Sequence, residues 1–205
     1  MDAKRYFVAG IGTDVGKTVV SAVLVEALKA DYWKPVQAGD VENTDRMKVQ
    51  QLVSNTESTF HPERYLLPYP LSPHASAAMA GVEVDANAIQ IPDHKAPLII
   101  EGAGGLLVPI NYNALYIDWV KRMQLEVILV SRHYLGSINH TLLSAEALKS
   151  RGIKVKGIIF NGDENNHTES VILQHTRFDF LGRIEDTNNV SKNFIAQQAQ
   201  RFTHL

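Results

Sequence analysis

The feature that most constrains this chain is the run Gly10-Ile11-Gly12-Thr13-Asp14-Val15-Gly16-Lys17-Thr18, which follows the apolar stretch Tyr6-Phe7-Val8-Ala9 and opens a segment with helical spacing. A glycine-rich turn between a strand and a helix, closed by Gly-Lys-Thr, is the context a phosphate-binding loop requires. Glycines let backbone N–H groups turn inward around a phosphate, and the helix N-terminus adds partial positive charge. Lys17 can reach terminal phosphates and the Thr18 hydroxyl can hold a magnesium ion. The spacing departs from the common G-x-x-x-x-G-K-[ST] form: Ile11 stands where that form puts its first glycine, flanked by Gly10 and Gly12.

A strand feeding such a loop predicts an α/β chain, and the rest of the sequence agrees. Leu98–Ile100, Val127–Val130 and Val155–Phe160 are further Val/Ile/Leu-rich runs without clean alternation, the pattern of strands buried on both faces of a parallel sheet. Lys17–Ala30 carries Val20, Val23, Leu24, Ala27 and Leu28 on one helical stripe, and Ser137–Ser150 carries Ile138, Leu142, Ala145 and Leu148, with Gly152 placed to cap the helix end. Alternating strands and helices imply right-handed crossovers and a three-layer fold: a mostly parallel central sheet with helices on both faces. With 205 residues and no repeat, low-complexity tract or linker, we expect a single domain over 1–205. Trp33-Lys34-Pro35-Val36 reads as a short second strand, and the polar segment Ser191–Phe202 as a solvated terminal helix. Residues 54–73 hold Pro62, Pro68, Pro70 and Pro73 and read as a long ordered excursion of the kind that often carries function.

Composition narrows the chemistry. The chain has no cysteine, which removes disulfides, thiolate metal sites and cysteine nucleophiles. Its formal net charge is -2, without a basic stripe for nucleic acid or a polybasic patch for anionic lipid, so neither a nucleic-acid nor a membrane partner is expected. No segment approaches the length of apolar run that a membrane helix needs, and the N-terminus lacks the pattern of a signal peptide; the expectation is a cytoplasmic protein.

A phosphate loop needs acidic groups opposite the phosphates to hold the metal. Glu101 ends the run Leu98-Ile99-Ile100 and precedes Gly102-Ala103-Gly104-Gly105, which puts a carboxylate at the C-terminal end of a strand, where ligands of parallel sheets bind. Asp45, after Asn43-Thr44, reads equally as a second metal ligand or as a helix-capping residue. Lys34 reads either as a solvated strand-end charge or as a functional cation.

Taken together, these blocks resemble the dethiobiotin synthetase family. The resemblance rests on Gly12–Thr18, Lys34-Pro35-Val36-Gln37-Ala38-Gly39, Thr44-Asp45, Ser72-Pro73-His74, Glu101–Gly105, Asp118-Trp119-Val120, Leu135-Gly136-Ser137-Ile138-Asn139-His140 and Asn161. The order and spacing match from residue 6 to about 184, and the Glu-Gly-Ala-Gly-Gly and Gly-x-Ile-Asn-His blocks are the specific ones.

The resemblance implies an ATP- and Mg²⁺-dependent enzyme that closes a cyclic urea on 7,8-diaminononanoate with CO₂. One amine captures CO₂ as a carbamate, a carbamate oxygen attacks the γ-phosphate, and the second amine closes the ring and expels phosphate. By the same resemblance, Thr18, Asp45 and Glu101 hold the metal, and Lys17 and Lys34 are the catalytic cations. The nucleotide contacts Gly12, Thr13, Asp14, Val15, Gly16, Lys17, Thr18, Val19, Asp45, Glu101, Gly102, Ala103, Gly104, Asn161 and Gly162, with Asn161 on the adenine edge. The diamine contacts Thr13, Lys34, Ala38 and Gly105, and its carboxylate meets the helix start at Gly136, Ser137, Ile138 and Asn139. In the family that helix belongs to a neighbouring subunit, so a homodimer is implied. From local sequence, Ser137 also reads as an ordinary helix cap and Asn161-Gly162 as a tight turn.

Four positions depart from the family pattern: Ala38 replaces a frequent hydroxyl residue, Tyr134 a frequent lysine, Gly162 a usual acidic residue, and Ile184-Glu185-Asp186 an expected Ile-Pro segment beside the adenine. They bear on base selectivity and substrate affinity and leave the phosphate and metal residues untouched. Two other readings fit a phosphate loop. A ParA- or MinD-like switch ATPase usually carries an extra lysine early in the loop, which Ile11-Gly12 lacks. The nucleotide domain of an amide-forming ligase usually accompanies a cysteine-dependent glutamine-hydrolysing domain, and this chain has no cysteine.

Overall fold

The structure, a computed structural model, describes residues 3–205. In chain order the elements are β1 (Arg5–Gly10), α1 (Lys17–Leu28), β2 (Asp31–Trp33), β3 (Val36–Ala38), α2 (Asp45–Leu52), β4 (Phe60–His61), β5 (Tyr65–Leu67) and α3 (Pro73–Ala80). They continue with β6 (Leu98–Gly105), β7 (Pro109–Asn111), β8 (Ala114–Leu115), α4 (Tyr116–Arg122), β9 (Glu126–Arg132), α5 (Ser137–Ser150), β10 (Val155–Asn161), α6 (Asn166–Thr176), β11 (Phe180–Ile184) and α7 (Lys192–Ala199).

Among the described residues, seven strands form one sheet in the order β11-β10-β9-β1-β6-β2-β4, every pairing parallel. The apolar runs lie where both faces are covered: Val127, Ile128, Leu129 and Val130 are all fully buried. Helix α1 packs with α2 and α7, and α5 with α6, so helices flank the sheet on both sides. The three-layer expectation therefore holds, and Ser137–Ser150 forms the expected helix.

Three expectations are corrected. Residues 33–36 are not one strand: β2 belongs to the large sheet and β3 pairs with β5 in a separate two-stranded sheet. Pro35, between them, has no N–H to give a ladder, so the chain leaves one sheet there and joins another. The terminal helix is not solvated all round: Ile195, Gln198, Ala199 and Phe202 are buried, and α7 rests on α1. Strand β11 is an addition to the strands expected from the sequence, because Gly182 and Arg183 dilute its apolar character.

The excursion at 54–73 is ordered by small ladders: β4 extends the large sheet and β5 pairs with β3. Its end docks on Gly39, whose φ of +76° and lack of a side chain let Pro70 approach; a Cβ there would lie 2.6 Å from the Pro70 Cα. Among the described residues, no helix is long and apolar enough to cross a membrane.

Candidate active site

The sheet carries its ligand groups to one end. Tyr32 pairs with Ile99 and Val8 with Glu101, so parallel register sets the end of β2, the end of β1 and the middle of β6 side by side. Side chains alternate along strands, so residues two apart share a face. Tyr32 and Lys34 on one strand end, and Glu101 on the next strand, therefore converge. The Lys34 ammonium donates to Glu101 Oε1 at 3.2 Å and pairs with Asp45. The Thr18 hydroxyl donates to the same Glu101 oxygen at 2.9 Å. The Tyr32 hydroxyl donates to the other, Oε2, at 2.9 Å.

The phosphate loop closes this cluster from the other side. Gly16, with a φ of 91°, starts α1, and no side chain among the described residues caps that helix. Its first N–H groups thus keep no intramolecular side-chain partner, the arrangement of an anion site. Lys17 folds back to donate to the Gly12 carbonyl at 3.0 Å. Gly16, Lys17, Thr18, Lys34, Asp45 and Glu101 line a cavity of about 640 Å³, together with Thr13, Asp14, Gln37, Ala38, Ala103, Gly104 and the excursion residues Pro70–Pro73; Gly12 and Tyr32 do not line it.

The charges are strongly coupled. Burial alone would depress the Lys34 ammonium, but Glu101 and Asp45 overcome it and hold the group above the ordinary lysine value. Burial would raise the Asp45 carboxyl, and Lys34, with help from Lys48, holds it below the usual carboxylate value. Lys17 falls below the ordinary lysine value, chiefly through burial and further through Lys34, against the pull of Glu101. An incoming polyphosphate would supply the counter-charge that Lys17 lacks.

The donor set suits Mg²⁺. Thr18 Oγ1, Asp45 and Glu101 offer hard oxygens beside the phosphate loop, and among the described residues no cluster of three His, Cys, Asp or Glu side chains offers a closed protein cage. Magnesium in phosphoryl-transfer sites is held in this open way, by one or two carboxylates plus waters and substrate phosphates.

Other expected residues fall differently. Asp45 is the first residue of α2, whose N-cap is Thr44, accepting from the Met47 N–H. Asn161 is buried and donates its amide to the Val15 carbonyl, and the Gly162 N–H is engaged with the Ile184 carbonyl. Val15 is buried, Val19 is partly buried against the core, and neither lines the cavity. Gly102 abuts the Phe7 ring, and Gly105 lines a second, apolar groove with Ile11, Leu107, Leu143 and Ala147. Gly136, not Ser137, is the N-cap of α5, at a φ of 102° and without a side-chain cap among the described residues. Neither it nor Ser137, Ile138 and Asn139 lines this chain's own cavity. Of the departures, Ala38 lines the cavity, Tyr134 bonds His140 at 2.8 Å, Glu185 pairs with Arg201, and Asp186 with Arg132.

Sequence reasoning missed two neighbours of the cluster. Tyr32 holds a Glu101 oxygen, and Gln37 accepts from the Asp45 N–H at 3.3 Å and donates to the Gly39 carbonyl at 2.9 Å. Only their spacing on the strands flanking Lys34 pointed to them.

A seven-stranded parallel sheet whose first strand runs into a glycine-rich loop and an uncapped helix, facing two carboxylates and a buried lysine, defines a phosphate-loop nucleotide-binding protein. A family model described as an AAA domain matches residues 4–193. The chain is 53% identical over 199 residues to an ATP-dependent dethiobiotin synthetase from Christiangramia forsetii, covering 97% of this chain and 96% of that protein. It is 50% identical to one from Cytophaga hutchinsonii, covering 96% and 95%. The chain belongs to the dethiobiotin synthetase family. Among solved structures, the cell division ATPase MinD of Pyrococcus furiosus superposes with a TM-score of 0.57 at 16% identity, covering 98% of each chain, a likeness of fold.

Proposed function

We infer that the chain is an ATP-dependent dethiobiotin synthetase, joining CO₂ to 7,8-diaminononanoate and closing the cyclic urea at the expense of ATP. The reading is carried by its family membership, and one juxtaposition gives it a chemistry. The Lys34 ammonium lies between Asp45 and Glu101 at the mouth of the phosphate loop. A carbamate placed there would have its negative charge met by Lys34 while its oxygen faces the γ-phosphate.

In this reading the β- and γ-phosphates rest on the loop N–H groups and Lys17; Thr18, Asp45 and Glu101 would hold Mg²⁺, which would supply charge neutralisation at the phosphates. One substrate amine adds to CO₂ and loses a proton to give the carbamate. The carbamate oxygen displaces ADP from the γ-phosphorus. The second amine then attacks the carbamoyl carbon, expels inorganic phosphate and loses a proton. Lys34 stabilises the charge that develops at the first and second of these steps, and the site otherwise works by positioning.

The whole chain acts as one domain, and its working form is a homodimer. Two observations support the dimer. The start of α5 at Gly136–Asn139 presents an uncapped helix N-terminus away from its own cavity. Beside it lies the apolar groove lined by Leu107 and Leu143, both more than half exposed, and Ala147. A second copy seated on that groove would bring its α5 N-terminus to the carboxylate end of the diamine. The setting is cytoplasmic, where the co-substrates of such a biosynthetic step are soluble.

Phosphate release from Mg·ATP and bicarbonate, measured with and without 7,8-diaminononanoate, tests the reading. Diamine-dependent release that falls at least ~100-fold in Lys34→Ala is the expected result. Release indifferent to the diamine would point instead to a switch ATPase or another ligase substrate.

A further inference from the structure

Glu101 carries three hydrogen bonds on two oxygens, and their distribution is unequal. Oε1 faces the phosphate loop and receives Thr18 and Lys34; Oε2 is turned inward and receives Tyr32 at 2.9 Å. Tyr32 is fully buried, between Glu101 and the Phe60 ring, whose centroid lies 6.4 Å away. A carboxylate that is 1% exposed cannot leave an oxygen unpaired without a large desolvation cost. The phenol satisfies that oxygen from the side opposite the ligand.

We propose that Tyr32 is a positioning residue for the metal site: by holding Glu101 Oε2 it fixes the carboxylate with Oε1 turned toward Thr18, where the two residues would help to hold a divalent cation. This rests on the reading of Glu101 as a metal ligand given above. Without the phenol, Glu101 is free to rotate and to grip Lys34 with both oxygens, which takes Oε1 out of its place. Outer groups that orient metal-binding carboxylates commonly govern affinity by about 10- to 100-fold. A second phenol supplies an internal control. Tyr116 is also buried, but its hydroxyl has no hydrogen-bond partner among the described residues.

The test is Mn²⁺ binding to the enzyme·ADP complex, read from the free-Mn²⁺ paramagnetic resonance signal, in the wild type, Tyr32→Phe and Tyr116→Phe. Tyr32→Phe keeps the ring and should bind Mn²⁺ about tenfold more weakly, with the Mg²⁺ requirement of turnover rising by the same factor. The KM for the diamine should stay within twofold of wild type, and Tyr116→Phe should bind Mn²⁺ like the wild type. In a Glu101→Gln background, which also removes the unpaired carboxylate, adding Tyr32→Phe should change Mn²⁺ affinity less than twofold, because the phenol acts through Glu101. Unchanged Mn²⁺ affinity in Tyr32→Phe, an equal loss in Tyr116→Phe, a further loss in the Glu101→Gln background, or a wild type that binds no Mn²⁺ overturns the proposal. A wild type that binds Mn²⁺·ADP but shows no diamine-dependent phosphate release would instead overturn the synthetase reading and leave the binding comparison to decide the role of Tyr32.

Discussion

Asn161 donates its side-chain amide to the carbonyl of Val15 at 3.0 Å, tying the end of β10 to the phosphate loop. The contact is close: a Cβ on Gly16 would lie 2.1 Å from the Asn161 amide nitrogen. The asparagine therefore braces the loop whether or not it also meets a base. Asn161→Ala should raise the KM for ATP about tenfold, the scale of one buried hydrogen bond, with kcat little changed. Binding of tripolyphosphate, which has no base, should weaken by a similar factor. Calorimetric titration of tripolyphosphate decides the point: unchanged affinity would confine Asn161 to the adenine edge.

Glu169 is bound twice by Arg183, at 2.6 and 2.5 Å, and also by His133 and the Asn165 N–H. Burial would raise its carboxyl, but Arg183 and the other donors hold it below the usual glutamate value. A depressed carboxylate adds stability above its unfolded pKa, about 4.3, and that stability is lost as pH falls through its lower native value. Glu169→Gln should therefore cost about 2 kcal/mol at pH 7. The gap to wild type should shrink below about pH 4. Urea unfolding at pH 7 and at pH 3.5 measures both, and a gap that widens in acid contradicts the assignment.

Phe202 is fully buried at the end of the chain, against the site where a Cβ on Gly182 would lie 2.8 Å from its ring. Phe202→Ala should cost about 3–5 kcal/mol, as for aromatic residues removed from a core. Thermal unfolding would show it as a large drop in Tm. A change of a degree or two would restore the picture of a solvated terminal segment.

Leu143 is 59% exposed on the apolar groove that the homodimer reading covers. A buried charge in such a face is unfavourable, so Leu143→Asp should yield monomers in light scattering. It should abolish most diamine-dependent turnover while ADP binding persists. A variant that stays dimeric, or a monomer that remains fully active, would sink the shared-site arrangement.

The sequence made the sheet's central strands and α5 plain, because buried runs such as Val127–Val130 and the stripe through Ala145 and Leu148 carry their own periodicity. The phosphate loop was equally plain, since its glycines and lysine are adjacent in the chain. Legibility failed where partners are distant. Whether Lys34 was a surface charge or a functional cation could not be decided locally; its two carboxylates come from distant elements, Glu101 brought beside it by the parallel register of β2 and β6 and Asp45 by the start of α2. Tyr32 lies outside the strand read at Trp33–Val36, and a phenol's role depends on which residue the neighbouring strand sets beside it. The terminal helix misled for a related reason: one isoleucine, an alanine and a phenylalanine suffice to bury a face when α1 is there to receive them.

The pairing of β2 with β6 has a last consequence. Tyr32 and Lys34 point the same way only because they are two apart, and a slip of one residue would send Asp31 and Trp33 to the cluster in their place. Such a slipped chain could keep its helices and much of its compactness, yet its glutamate would face an indole. Turnover in this enzyme is therefore also a proofreader of assembly: an active molecule is certified, to the residue, as correctly threaded where β2 joins β6.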